Sequence, residues 1–292
     1  MLDVICVGSA TSDRIALLDR MPTDDQRVLA TSITDAHGGP AATAAVTLAR
    51  LGVRVGFCGV VGEDEAGDAA RRHLESEGVV TDWLTVDPDV ETARSMVLVS
   101  TATESRAIVT VRAPAPRAVD IPLSASTWLH VDHAGHAPTR AAIDAAAGTV
   151  TNRLSLDGGN PIDDLDLRGI DLYAPSVPAL LTRYPSASGV DDALRRAREE
   201  GAAWVVATDG SRGSYYLDDV PRFVDSFAVD AVSTLGAGDV FHGALLASLV
   251  FGRPLDDAVR EANAVAALSC RGLDGRSAIP DTTELRAFLG DG

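Results

Sequence analysis

The run Thr234-Leu235-Gly236-Ala237-Gly238-Asp239-Val240-Phe241-His242-Gly243 holds the residues best suited to chemistry in this chain. Small residues there lead into the helical spacing of Ala244-Leu245-Leu246-Ala247. At such a junction the free N–H groups and the positive end of the helix dipole can face an anion closely, which a transferring phosphoryl group requires as its charge develops. Asp239, in the first turn, can accept a proton from a substrate hydroxyl. A tight Gly-Ala-Gly turn closed by an aspartate helix cap would use the same residues. His37-Gly38-Gly39-Pro40-Ala41-Ala42-Thr43-Ala44 also precedes a helix, where glycines admit a ligand or a neighbouring strand closely. Asp13, in Gly8-Ser9-Ala10-Thr11-Ser12-Asp13, can accept hydrogen bonds from vicinal hydroxyls or serve as a turn residue.

These groups need a scaffold, and apolar periodicity supplies one. Val4-Ile5-Cys6-Val7-Gly8 reads as a buried strand entering a turn, and similar runs recur at 53–61, 128–131, 154–157, 172–174 and 204–208. Between them, Ala-rich stretches at 41–51, 66–78, 139–149, 190–201, 239–251 and 255–270 have helical spacing. Strand then helix, repeated, predicts an α/β fold with a mostly parallel sheet and helices on both faces, with ligands beyond the carboxyl ends of the strands. Two stretches break the rhythm, about 14–35 and 92–113. The second alternates as a hairpin turning at Thr103-Glu104-Ser105. Together they predict a small sheet that closes over the ligand as a lid inserted in a single domain, 1–292.

Composition narrows the chemistry. The 292 residues are 46% hydrophobic and contain no lysine, so all fixed side-chain positive charge is arginine. A Gly-Lys-Ser/Thr phosphate loop, a pyridoxal Schiff base and a Ser-Lys nucleophile are thereby excluded. A net charge of -17 argues against nucleic-acid binding. No apolar run is long enough for a membrane span, and the start lacks a signal peptide's basic residues, so a cytoplasmic protein is expected. Cys6, Cys58 and Cys270 are too scattered for a disulfide framework, and His130, His133 and His136 lack metal-ligand spacing, so no protein-built metal site is expected. A dinucleotide-binding dehydrogenase is disfavoured because Gly8-Ser9-Ala10-Thr11-Ser12 lacks Gly-x-Gly-x-x-Gly.

In order along the chain, Gly38-Gly39-Pro40-Ala41-Ala42-Thr43-Ala44-Ala45, Gly59-Val60-Val61-Gly62-Glu63-Asp64 and Gly236-Ala237-Gly238-Asp239 resemble the signatures of the ribokinase-like, or PfkB, carbohydrate kinases. The resemblance implies a three-layer sandwich with a small β-sheet lid and ATP-dependent transfer to a hydroxyl of a ketose or related small sugar. Asp239 would be the base, and the backbone of Gly236, Ala237 and Gly238 the anion hole. Asp13, Gly38, Gly39 and Thr43 would bind the sugar. Thr208, Gly210 and Gly213 in Thr208-Asp209-Gly210-Ser211-Arg212-Gly213, with Asn263, would bind the nucleotide. The nearest branch resembles the sulfofructose kinases and ketohexokinases, where Arg27 would meet an anionic end of the sugar. Thr110 and His133 take the places of the Asn and Arg that hold the sulfonate there, which disfavours a sulfosugar. Ser233 replaces an aspartate linked to monovalent cations. Ala174-Pro175-Ser176-Val177-Pro178-Ala179 lacks the family's Asn-x-x-Glu, so Mg2+ would be held by ATP and water. An exposed lid face suggests a homodimer. A nucleoside kinase of the same fold and a catalytically silent sugar or nucleotide sensor are the alternatives.

Overall fold

The computed structural model describes residues 1–103 and 105–290. The chain runs β1 (Leu2–Val7), β2 (Thr11–Leu18), β3 (Ala30–Gly38), α1 (Pro40–Arg50), β4 (Val55–Gly62), α2 (Glu65–Ser76), β5 (Val80–Asp87), β6 (Arg94–Ser100) and β7 (Arg106–Thr110). It continues through β8 (Ser126–Val131), α3 (His136–Ala145), β9 (Arg153–Gly158), β10 (Leu172–Pro175), α4 (Val177–Arg183), α5 (Val190–Glu200) and β11 (Trp204–Thr208). It ends with β12 (Gly213–Leu217), β13 (Pro221–Asp225), α6 (Ala237–Val250), α7 (Leu255–Ser269) and α8 (Thr282–Leu289).

Among the described residues, nine strands form one sheet in the order β13-β12-β11-β10-β9-β8-β1-β4-β5. It is parallel except where β12 and β13 turn back at one edge. The central strand explains the continuous apolar run. Val4 and Cys6 pack into the core with α1, α6 and α7, whereas Ile5 and Val7 pack into the core with α3, α4 and α5. A strand buried on both faces has no polar side to alternate with. Helix α6 is likewise buried from Val240 to Ser248, which suits its apolar sequence on every side. The sequence reading missed β5, β12, β13, α4 and α8, all short or at an edge, where burial leaves a weak pattern. No described helix is long and apolar enough to cross a membrane.

The second sheet has the order β3-β2-β6-β7, and β6 with β7 forms the expected antiparallel hairpin. Glu104, in its expected turn, lies outside the described residues. The lid strands reach further than expected, beginning at Thr11 and ending at Gly38, because the β2–β3 ladder continues to the Thr11–Gly38 pair. With side chains alternating across a strand, register puts Asp13, Ser95 and Thr110 on one face with Val97 and Ile108, and all five line the cleft beneath. The other face carries Ile33, Met96 and Val109, each more than half exposed.

Candidate active site

Between the two sheets lies a cleft of about 880 Å3, within the range of small-molecule sites. Its floor is built from the carboxyl ends of parallel strands, with Ser9 after β1, His133 after β8, Asp157 in β9, Ser176 after β10 and Thr208 in β11. The chain leaves β1 for β4 on one side and later returns to β8 on the other, so the β1–β8 crevice is the topological switch where such sheets bind ligands. Asp132 ties this crevice together. Its carboxylate accepts hydrogen bonds from Ser9 N–H at 2.9 Å, Ser9 Oγ at 2.8 Å, Ala41 N–H at 3.3 Å, Ala134 N–H at 2.8 Å and Gly135 N–H at 3.0 Å.

Gly236 ends the loop before α6 with a φ of 71°, and a Cβ there would lie 2.9 Å from Gly275 Cα. Glycine is therefore required both by the left-handed turn and by the neighbouring backbone. The first helical bond is Val240 N–H to Gly236 C=O at 2.9 Å, which leaves the Gly238 and Asp239 amides ahead of the ladder. Ala237 departs from the expected anion hole. Its N–H is spent on Thr234 C=O at 3.3 Å, and it does not line the cleft, whereas Gly236, Gly238 and Asp239 do.

Burial raises the pKa of Asp239 to about 7, reinforced by Asp157 and opposed by His242 and Arg276. A carboxylate raised toward neutrality is a better proton acceptor for an alcohol than an ordinary one, provided it stays ionised. His242 Nδ1 lies 3.1 Å from Asp157 Oδ2, both side chains being almost fully buried. Burial alone would raise Asp157 and lower His242, yet each is shifted the other way by its partner. Arg276, also buried, donates to Thr43 Oγ1 at 3.1 Å and to Gly38 C=O at 2.6 Å. Its charge is opposed by burial and supported by Asp13 and Asp239. The sequence reading gave no role to Asp132, Asp157, His242 or Arg276. Only the strand-terminal position of Asp157 and the place of His242 in the Gly236–Gly243 run hinted at them.

Asp13, Gly38, Gly39, Thr43, Thr110, His133 and Thr208 all line the cleft. Gly39 caps α1 at a φ of 93°, where a Cβ would sit 2.3 Å from Ser9 C=O. Other expected residues are elsewhere. Arg27 lies exposed in the loop between β2 and β3, and the ladder puts that loop at the end opposite Thr11 and Gly38, roughly 20 Å away at ~3.3 Å per residue. Asn263 is buried, with its amide donating to Val224 and Asp225 carbonyls and its oxygen accepting from Ser214, so it braces α7 against β12 and β13. Gly210 and Gly213 shape the turn after β11 but do not line the cleft. Arg106 of the lid, unremarked in the sequence, does line it and donates to Thr234 Oγ1 at 2.5 Å.

The segment that lacks Asn-x-x-Glu forms the end of β10 and the start of α4. Strand β10 ends in Ala174 and Pro175, and Ser176 caps α4 by accepting from Ala179 N–H at 3.3 Å. Neutral hydroxyls there suit magnesium only as a hydrated ion arriving on the nucleotide.

An amide seat for an anion beside a raised carboxylate, beneath the second sheet, suits phosphoryl transfer to a small polyol. The comparisons with known proteins agree on the class, a carbohydrate kinase that uses ATP. The chain belongs to the pfkB family of carbohydrate kinases, whose model matches residues 1–140 and 178–282. It is similar to an ATP-dependent ribose-1-phosphate kinase of Halopiger xanaduensis, at 30% identity over 100% of this chain and 99% of that one. It is also similar to a nucleoside kinase of Methanothermobacter thermautotrophicus, at 27% over 97% of this chain and 94% of that one. The ribokinase of Giardia lamblia shares the fold, with a TM-score of 0.89 at 20% identity over 100% of both chains. These likenesses carry the family but not the sulfofructose kinase branch.

Proposed function

We propose that this kinase transfers the γ-phosphoryl group of ATP, delivered as its magnesium complex, to a hydroxyl of a ketose or related small sugar that already carries an anionic group, a sugar monophosphate first among them. The observation that carries the reading is Arg106. Among the described residues it has no carboxylate partner and bonds only the Thr234 hydroxyl, so its charge is free for an anion in a cleft that Arg112 also lines. Aspartates such as Asp13 serve the hydroxyls. The relative named for ribose 1-phosphate has the same kind of acceptor.

The chain then works as one kinase domain whose small sheet closes over the acceptor. As the acceptor oxygen bonds to the γ-phosphorus, its proton passes to Asp239 and the bond to the departing ADP oxygen breaks. The Gly238 and Asp239 amides receive the charge that develops. The exposed apolar lid face, with Ile33, Met96 and Val109, would be covered by a second copy, and a cytoplasmic setting suits three buried free thiols.

An ATP-consumption screen over ketoses, sugar monophosphates, sulfosugars and nucleosides tests the proposal. Turnover should be highest with a sugar monophosphate. Turnover of nucleosides alone would reassign the acceptor, and ligand binding with no turnover on any of them would point to a sensor. In Arg106→Ala, KM for the phosphorylated acceptor should rise by about tenfold or more while kcat changes little, the loss expected for a charge-assisted bond made equally in ground and transition states. An unchanged KM would remove Arg106 from the acceptor site.

A further inference from the structure

We propose that Asp157 and His242 are positioning residues of the transfer reaction, a buried carboxylate–imidazolium pair packed against Asp239 that keeps this carboxylate ionised and aimed into the cleft. The inference rests on the reading of Asp239 as the base and adds the device that maintains it. Asp157 lies in the stretch 141–177, outside the residues that the family model matches.

The geometry is compact. Donor atoms of Asp157, Asp239 and His242 all lie within 4.8 Å of one another, Asp157 from β9 and the other two from successive turns of one helix, α6. Two carboxylates this close, one buried and one half-buried, do not both stay ionised readily without a cation beside them. His242 is that cation. Asp157 is its partner, with Nδ1 3.1 Å from Oδ2, at ion-pair distance but outside hydrogen-bond geometry, and Nδ1 has no hydrogen bond elsewhere among the described residues. The groups on other elements do not replace it. His130 of β8 has its ring centroid 6.1 Å from that of His242, tilted by 49°, but it bonds Ser155, and burial drives its pKa down to about 4, which favours the neutral ring. Asp132, after β8, adds negative charge and is occupied by the five donors of the crevice. The charge of Arg276 favours ionised Asp239, but its guanidinium is committed to Thr43 and Gly38.

The sign follows from the charges. Removing the imidazolium leaves Asp239 facing an uncompensated Asp157, so its proton is held more tightly and activity needs a higher pH. In His242→Gln, the acidic limb of the kcat/KM profile should move to higher pH by about one unit. Adding Asp157→Asn should move it back below that of the single variant, because the like charge has gone. Lowered activity with an unmoved limb in His242→Gln, or a double variant that fails to move back, overturns the proposal. Asp239→Asn separates the two claims. If it is inactive while the His242→Gln limb stays put, the base stands and the pair does not; if it is fully active, the base itself is wrong. Nitrogen NMR of the histidine rings in the unmodified protein covers the case in which the variants fail to fold. His242 should remain doubly protonated at pH 7, and a neutral ring there overturns the pair. So does one equivalent of Mn2+ or Zn2+ retained by the nucleotide-free protein after dialysis, since the three groups would then be ligands.

Discussion

Asp239→Asn is expected to lower kcat by about 10^2 to 10^4 while ATP and acceptor still bind, the range for losing a general base. The substitution keeps the shape of the side chain and removes only its capacity to take a proton. The competing account, in which Asp239 merely caps α6, fails on geometry. The helix is capped by Gly236 without a side-chain bond, Asp239 is the third helical residue, and among the described residues no hydrogen bond reaches its carboxylate. A structural carboxylate would be bonded. This one is half-buried at the wall of the cleft, and desolvation and Asp157 raise its pKa. The same facts predict the stability of the variant. Replacing a half-buried charge that has no hydrogen bond among the described residues with a neutral amide relieves part of a desolvation cost, so the melting temperature should stay level or rise slightly. The wild-type pH profile should agree. Activity requires the ionised form, so kcat/KM should increase with pH to a midpoint near 7 rather than near the ordinary carboxylate value. A melting temperature several degrees lower in Asp239→Asn, with turnover intact, would restore the cap.

What could be read from the sequence was what local chemistry specifies. The Gly236–Asp239 turn, the Gly38–Gly39 entry to α1 and the alternating hairpin of β6 and β7 each lie within a dozen or so residues, where φ preference and period decide the outcome. The residues missed act across the fold. Ser9 and Asp132 are separated by 123 positions, Arg106 and Thr234 by 128, and Arg276 and Thr43 by 233. No local pattern marks such pairs. Arg27 and Asn263 do not line the cleft, for related reasons. Register carries the first to the far end of the lid, and tertiary partners consume the second. In both cases the residue type suited the role, and the fold placed it elsewhere.

Asp132 should be the residue whose loss costs most in stability. It is fully buried and faces only donors, with three on Oδ2 and two on Oδ1. Four of these are backbone N–H groups, which cannot turn away. In Asp132→Ala they lose their acceptor in a site closed to solvent, at about 1–3 kcal/mol for each that stays unpaired, so a loss of at least about 3 kcal/mol is expected after relaxation. For a chain of this size that is roughly 6–12 °C in melting temperature. Asp132→Asn discriminates more finely. Its amide supplies one acceptor oxygen and one NH2, so whichever way it turns, donors meet donors on one side, and stability should again fall. Activity should fall with it, because the groups released are the Ser9 turn, the start of α1 beside Gly38 and Gly39, and the start of α3. Thermal unfolding with kinetics at a temperature where the variant remains folded checks both. An Asp132→Asn protein that melts with the wild type would mean that the crevice holds together without the carboxylate, and that the sheet ends alone set the spacing between acceptor site and base.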